Sequence, residues 1–279
     1  MQRTALRRGA LLAVLLAAVL PAAGATGRDA SVTIGNLVLR ASAAFEPQKL
    51  PADRFRGGGF RARVRISTSD GSRPTALRQL VVYFDRDGRL SARGLPACKP
   101  QRIAAASTEE ARRLCAGAIV GTGTVGGVVS LATGLLPVAS PLTVFNGPRL
   151  GGRPSVVLHA HFTQPGTQTF ALLAPIQRRP GAYRYRVPIE IPPLAAGLGS
   201  VTSLEVSISR RYRFAGKRRS YVSARCTDNV LRTHGRFRFE DGNVIEGSVA
   251  RYCATLPAHR PGRMTAQARR FLYLPVPGR

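Results

Sequence analysis

The stretch FRARVRIST, Phe60 to Thr68, decides how the chain is read. Phe60, Ala62, Val64 and Ile66 point one way, while Arg61, Arg63 and Arg65 point the other. That period of two is the pattern of a β-strand with one face buried and one face wet. Its wet face is an arginine ladder.

Outward from Phe60 the same grammar repeats. LRQLVVYFD, Leu77 to Asp85, is the next strand and ends in Asp85-Arg86-Asp87-Gly88, a hairpin-type turn. Further strands are predicted over 32–42, 118–124, 128–131, 142–146, 155–162, 169–176, 183–191, 203–214, 220–226, 235–240 and 244–253. Ala215-Gly216 and Asp241-Gly242 mark two hairpins. One helix is expected where Ser107-Thr108-Glu109-Glu110 forms a capping box, continued by Ala111-Arg112-Arg113-Leu114-Cys115 with acids first and arginines last. Many short strands between Gly and Pro residues predict a mainly β fold. The expected form is an antiparallel β-sandwich, or a partly open barrel, with one short capped helix and two disulfides.

The ends and the cysteines place the protein. Arg3, Arg7 and Arg8 precede an eleven-residue apolar run, Ala10 to Leu20, and Ala23-Gly24-Ala25 has the spacing of a cleavage site. Residues 1–25 read as a signal peptide, because eleven residues fall short of the roughly 20 that span a bilayer. Residues 26–253 are expected to form one β-sandwich domain and 254–279 a basic C-terminal extension. Four cysteines in an exported chain read as two disulfides with three possible connectivities. The sequence-local closures, Cys98–Cys115 and Cys226–Cys253, are favoured. The expected location is secreted or associated with the cell envelope.

The glycine-rich stretch AIVGTGTVGG, Ala118 to Gly127, has the spacing of a dinucleotide-binding turn. Such a turn needs a following helix and an acid about 20 residues on. Here the following segment contains Gly134 and Pro137, and no acid occurs from Ala111 to Ile189. The glycines read instead as places where strand backbones approach closely, and no cofactor is expected.

Two groups of side chains could carry chemistry. His159 and His161 lie on one face of SVVLHAHF, about 7 Å apart along a strand. They are a candidate metal pair, completed by His234, His259 or an acid. Glu190, Glu205 and Glu246 are candidate strand-borne acids. The strongest interaction candidate is SRRYRFAGKRRSY, where Arg210, Arg211, Arg213, Lys217, Arg218 and Arg219 surround one hairpin among Tyr212, Phe214 and Tyr221. Clustered cations beside aromatics suit phosphate-bearing polymers. The net charge of +28 rests almost wholly on arginine, a bias that a GC-rich coding sequence also produces. Anionic cell-wall polymers or an anionic membrane surface are therefore the expected partners, with nucleic acid bound only non-specifically.

Taken together, LPAC, the capped helix running into RRLCAGAIVGTG, VFNG, SYVSARC and FRFEDG resemble a group of exported β-rich proteins of GC-rich Gram-positive bacteria. The resemblance spans Val32 to Cys253. It implies export and a β-fold, and it brings no activity, ligand or catalytic residue. The expected function is non-enzymatic: a structural or anionic-polymer-binding component of the envelope or exterior. The alternative is an extracellular metal- or carboxylate-dependent hydrolase centred on His159 and His161.

Overall fold

The computed structural model describes residues 26–27 and 29–256; the expected signal peptide, 1–25, and the residues beyond Leu256, His259 among them, lie outside the described residues. The chain opens with β1 (Thr26–Gly27), β2 (Asp29–Ile34), β3 (Leu37–Glu46), β4 (Lys49–Pro51) and β5 (Arg56–Thr68). Next, β6 (Leu77–Asp85) and β7 (Gly88–Leu90) lead to helices α1 (Pro100–Ile103) and α2 (Thr108–Leu114). The middle carries β8 (Ile119–Leu131), β9 (Gly134–Asn146), β10 (Ser155–Phe162), β11 (Gln168–Pro175), β12 (Gln177–Arg178) and β13 (Tyr183–Glu190). The last part holds β14 (Gly199–Ile208), β15 (Arg211–Phe214), β16 (Lys217–Ser220), β17 (Val222–Ala224), β18 (Val230–Phe239), β19 (Val244–Tyr252) and β20 (Ala254–Leu256).

These strands build two large sheets and two two-stranded pairs, β15–β16 and β20–β4. The smaller runs β1-β19-β18-β6-β13-β12, the larger β11-β10-β9-β8-β14-β5-β17-β7, with β3 and β2 added beside β5. Pairing is antiparallel except for β1 with β19 and β20 with β4. The barrel is not closed. Alternation sets the faces: Arg61, Arg63 and Arg65 are exposed while Phe60 and Ile66 are buried. Leu39 and Ile66 of the larger sheet meet Leu80, Phe237 and Ile245 of the smaller one in a common core.

Both cysteine pairs close as the short loops suggest, Cys98–Cys115 with Cα atoms 5.6 Å apart and Cys226–Cys253 with 6.1 Å. Ser107 caps α2, its hydroxyl accepting from the Glu110 amide at 3.2 Å. Two disulfides fit an oxidising compartment.

Several expectations change. The Asp85–Gly88 turn is no hairpin: β6 belongs to the smaller sheet and β7 to the larger, so the chain changes layers there. The buried Asp87 carboxylate holds this corner, accepting from Arg225 Nε at 2.9 Å and the Thr227 amide at 2.8 Å. The segment from Gly134 to Ser140, discounted for its glycine and Pro137, is the first half of β9. Pro137 is tolerated because only β8 borders that half; β10 joins β9 from Leu142 onward. A second helix, α1, begins at Pro100, where a missing N–H costs nothing.

The glycine-rich stretch is the interior of one long strand, β8, flanked by β9 and β14. A methyl group on Gly123 would sit 1.8 Å from the Glu205 carbonyl oxygen, and one on Gly121 2.5 Å from that of Ser207. Backbone approach requires these glycines.

Candidate functional site

The arginine-rich segment forms its own two-stranded ribbon, β15 with β16, turning at Ala215 and Gly216 in left-handed backbone conformations. Tyr212 and Phe214 fix it to the body. The Tyr212 hydroxyl donates to the Ser91 and Arg93 carbonyls at 3.1 and 2.9 Å, and the Phe214 ring packs on Gly94, where a side chain would collide with it. The opposite face carries Arg211 and Arg213, with Arg213 directly across from Arg218. Between ribbon and body lies a surface groove of about 600 Å³, lined by Arg89, Arg211, Arg213, Arg218, Arg219 and Phe55.

Several arginines of the body meet acids: Arg63 with Glu205 at 2.8 Å, Arg225 with Asp87 at 2.9 Å, Arg232 with Asp228 at 2.7 Å and Arg236 with Glu246 at 3.0 Å. Among the described residues, no ion pair involves any of the six ribbon cations predicted from sequence. Like charges directly opposite across a strand pair are destabilising, so Arg213 and Arg218 cost stability where they stand. Arg210 is the exception to the cluster's exposure: it is half-buried, with a buried Nε that has no hydrogen-bond partner.

His159 and His161 do share a face of β10, the face covered by α1 and α2. His159 is completely buried, and its Nε2 lies 3.1 Å from the Ala106 carbonyl. The neutral ring donates there through Nε2–H, which leaves Nδ1 without a partner. Burial holds its pKa below the usual histidine range. His161 Nδ1 lies 2.8 Å from the Thr169 hydroxyl. Among the described residues, no three His, Cys, Asp or Glu side chains gather where a metal ion could sit.

The candidate acids do not converge either. Glu205 lies on the larger sheet with Arg63, whereas Glu190 and Glu246 lie on the smaller one. Glu246 belongs to a cluster missed at the level of sequence. His234 Nδ1 lies 3.0 Å from the Ser248 hydroxyl and its Nε2 3.6 Å from Glu246, with Tyr83 and Tyr183 against the ring. Register explains this grouping, since His234 pairs with Ser248 and Arg236 with Glu246. The outline is that of a serine, a base and an orienting acid. However, Glu246 is shared with Arg236 at 3.0 Å.

Between the sheets lies a second feature that was missed. A cavity of about 180 Å³ adjoins another of about 90 Å³, the two sharing walls at Val64, Leu80, Leu158, Ile189, Leu204 and Phe237. The floor is built from small residues: Ala43 pairs with Ala62, which pairs in turn with Val206. Gly235 faces Gly247 across β18 and β19. Inward-pointing Val64, Leu158, Leu204 and Val206 consequently stay only half-buried. Leaving about 180 Å³ unpacked by the chain's own side chains costs about 4 kcal/mol by the scaling for core cavities. The signal was present in the sequence as alanine and glycine at strand positions whose parity points inward.

Comparison with protein-family models, with curated protein sequences and with solved structures returns no match.

Proposed function

We propose that this is a non-enzymatic exported protein that captures a phosphate-bearing polymer of the cell envelope on the β15–β16 ribbon. The observation that carries this reading is the Arg213–Arg218 pair: two cations held directly opposite one another without an acid, beside a groove lined by Arg89, Arg211 and Arg219. A polyanion removes the mutual repulsion, and arginine forks grip phosphate through two hydrogen bonds at once. Among the described residues, none of the chain's fourteen acids pairs with a ribbon cation, so the ribbon keeps its field. Export by the N-terminal signal, with cleavage near Ala25, agrees with the two disulfides.

The test is a salt titration of binding to a poly(glycerol phosphate) teichoic acid, with double-stranded DNA as a comparator. Wild-type affinity falls linearly on a log–log plot against salt. Replacing Arg211, Arg213 and Arg218 together with Gln should reduce that slope by roughly two and weaken binding at least tenfold at low salt. An unchanged slope in the triple variant would remove the ribbon from the reading. The hydrolase alternative on His159 and His161 gains no support from a ring buried beneath two helices.

A further inference from the structure

We propose that the interior cavity and the arginine groove are two halves of one site for an acyl-chain amphiphile with a phosphate-bearing head. The chain lies between the sheets and the head among the arginines. This rests on the groove being an anion site, and it adds the class of ligand.

The juxtaposition follows from two three-residue strands. In β7 and β17, Leu90 pairs with Val222, and Arg89 with Ser223. Leu90, Val222 and Ala224 line the cavity, Ser223 lines the groove, and Arg89 lines both. Cavity and groove are thus opposite faces of the same short strands, one backbone thick. β7 ends its sheet with β17 as its only sheet neighbour, and its outer edge meets a side chain instead of a strand, the Leu90 amide donating to the Tyr185 hydroxyl at 3.4 Å; the proposed ligand passes round this edge.

The cavity's shape selects a chain rather than a ring system. Packed sheets stand about 10 Å apart, room for one layer of side chains or one chain in their place. Along β5 the two cavities together run from Phe60 to Ile66, about 20 Å at strand rise, the second reaching Phe162, Phe170 and Leu194. Phe45, Phe60 and Ile208 form a cross-strand row at the β7–β17 end, and the Ala43–Ala62–Val206 row beside it leaves the width. The walls are mostly apolar, the buried Tyr221 hydroxyl being without a hydrogen-bond partner among the described residues, so a charged head must stay outside. At the far edge Arg251 is already committed to the Ala43 carbonyl at 3.0 Å and to Asp29 at 3.2 Å. The cations beside β7, Arg89 with Arg211, Arg213, Arg218 and Arg219, make no ion pair among the described residues.

The test uses the disulfide-intact protein and three probes: palmitoyl lysophosphatidylglycerol below its micelle concentration, a glycerol phosphate oligomer without a chain, and monopalmitoylglycerol without a phosphate. Calorimetry at several temperatures and salt concentrations reads the halves separately, because apolar burial gives a negative heat-capacity change and the head gives salt dependence. The lysolipid should bind at least tenfold tighter than either partial probe. Ala62→Phe and, independently, Ala43→Leu should abolish the heat-capacity change and leave oligomer binding intact. The triple Gln variant should remove salt dependence and leave monopalmitoylglycerol unaffected. Two cavity variants that melt cooperatively, keep both disulfides and still bind lysolipid like wild type would overturn the proposal. So would lysolipid binding that ignores the arginine changes. If the wild type fails to bind the oligomer at all, the groove reading itself falls, a result distinct from either.

Discussion

Two parts of the larger sheet carry covers on their outer face, and the covers are opposites. Over β9 and β10, helices α1 and α2 bring Ile103, Ala106 and Ala111 down onto Phe145 and Val157, stapled by Cys98–Cys115. Over β7 and β17, the β15–β16 ribbon is held at its base by Tyr212 and Phe214 and leaves a wet groove rimmed with arginine. The outer residues of the strands beneath explain the choice. Valine, phenylalanine and a neutral histidine invite a dry lid, while Arg89 and Ser223 cannot be sealed without stranding charge. A cover that adds stability is spent on the first region. The second gives stability up to hold its charges together.

The largest expected effect comes from beneath both covers. Gly123→Val places atoms on the Glu205 carbonyl at the β8–β14 contact and should cost upwards of about 3 kcal/mol, read by denaturant midpoint. Normal stability in that variant would mean the strands are not so close. Next, Cys98→Ser with Cys115→Ser should cost about 3 kcal/mol and loosen the dry lid while leaving polymer binding intact. Loss of both together would show that the covers are not independent.

His159 supplies a smaller, pH-dependent test. Its folded pKa lies below the unfolded value of 6.5, so the unfolded chain binds more protons in that window. The stability it contributes is complete above about pH 6.5 and falls as acid takes the pH down through the folded value. Wild type minus His159→Gln, compared as melting temperature against pH, should show that fall, and the double serine variant should flatten it. Smallest is Arg213→Glu, which pairs with Arg218 and should gain about 0.5 kcal/mol while weakening polymer binding. Stability and binding moving in opposite directions is the signature; a loss of both would sink the contrast.

Much of this was legible in residue order. The strand at Ser155–Phe162 was delimited to the residue, and the arginine ladder located β5, which begins earlier than Phe60, at Arg56. Ser107 and Glu110 announced α2 because a cap is a local event, and the two disulfides follow the shortest closures. What escaped depends on distant partners. Pro137 reads as a strand breaker until β10 is seen to stop short of it. Asp85–Gly88 reads as a hairpin because a turn does not say to which sheet its second strand belongs. The ribbon was visible as charge, but the absence of acids around it is a property of folded space. The cavity escaped for a different reason: parity reveals which side a residue faces, not how far its side chain reaches. Ala43 and Ala62 count as apolar and inward, yet fill little.

The parallel pairing of β1 with β19 sets an order of events. Thr26 and Gly27 lie beside Ser248 and Val249, so the first described strand has no partner until more than two hundred further residues have been made. β3 and β5 can zip as a hairpin early, but the smaller sheet must wait for the chain's last long strand. Closure of such a distant loop is slow. The larger sheet can therefore assemble first, and the smaller one is completed only when β19 is in place.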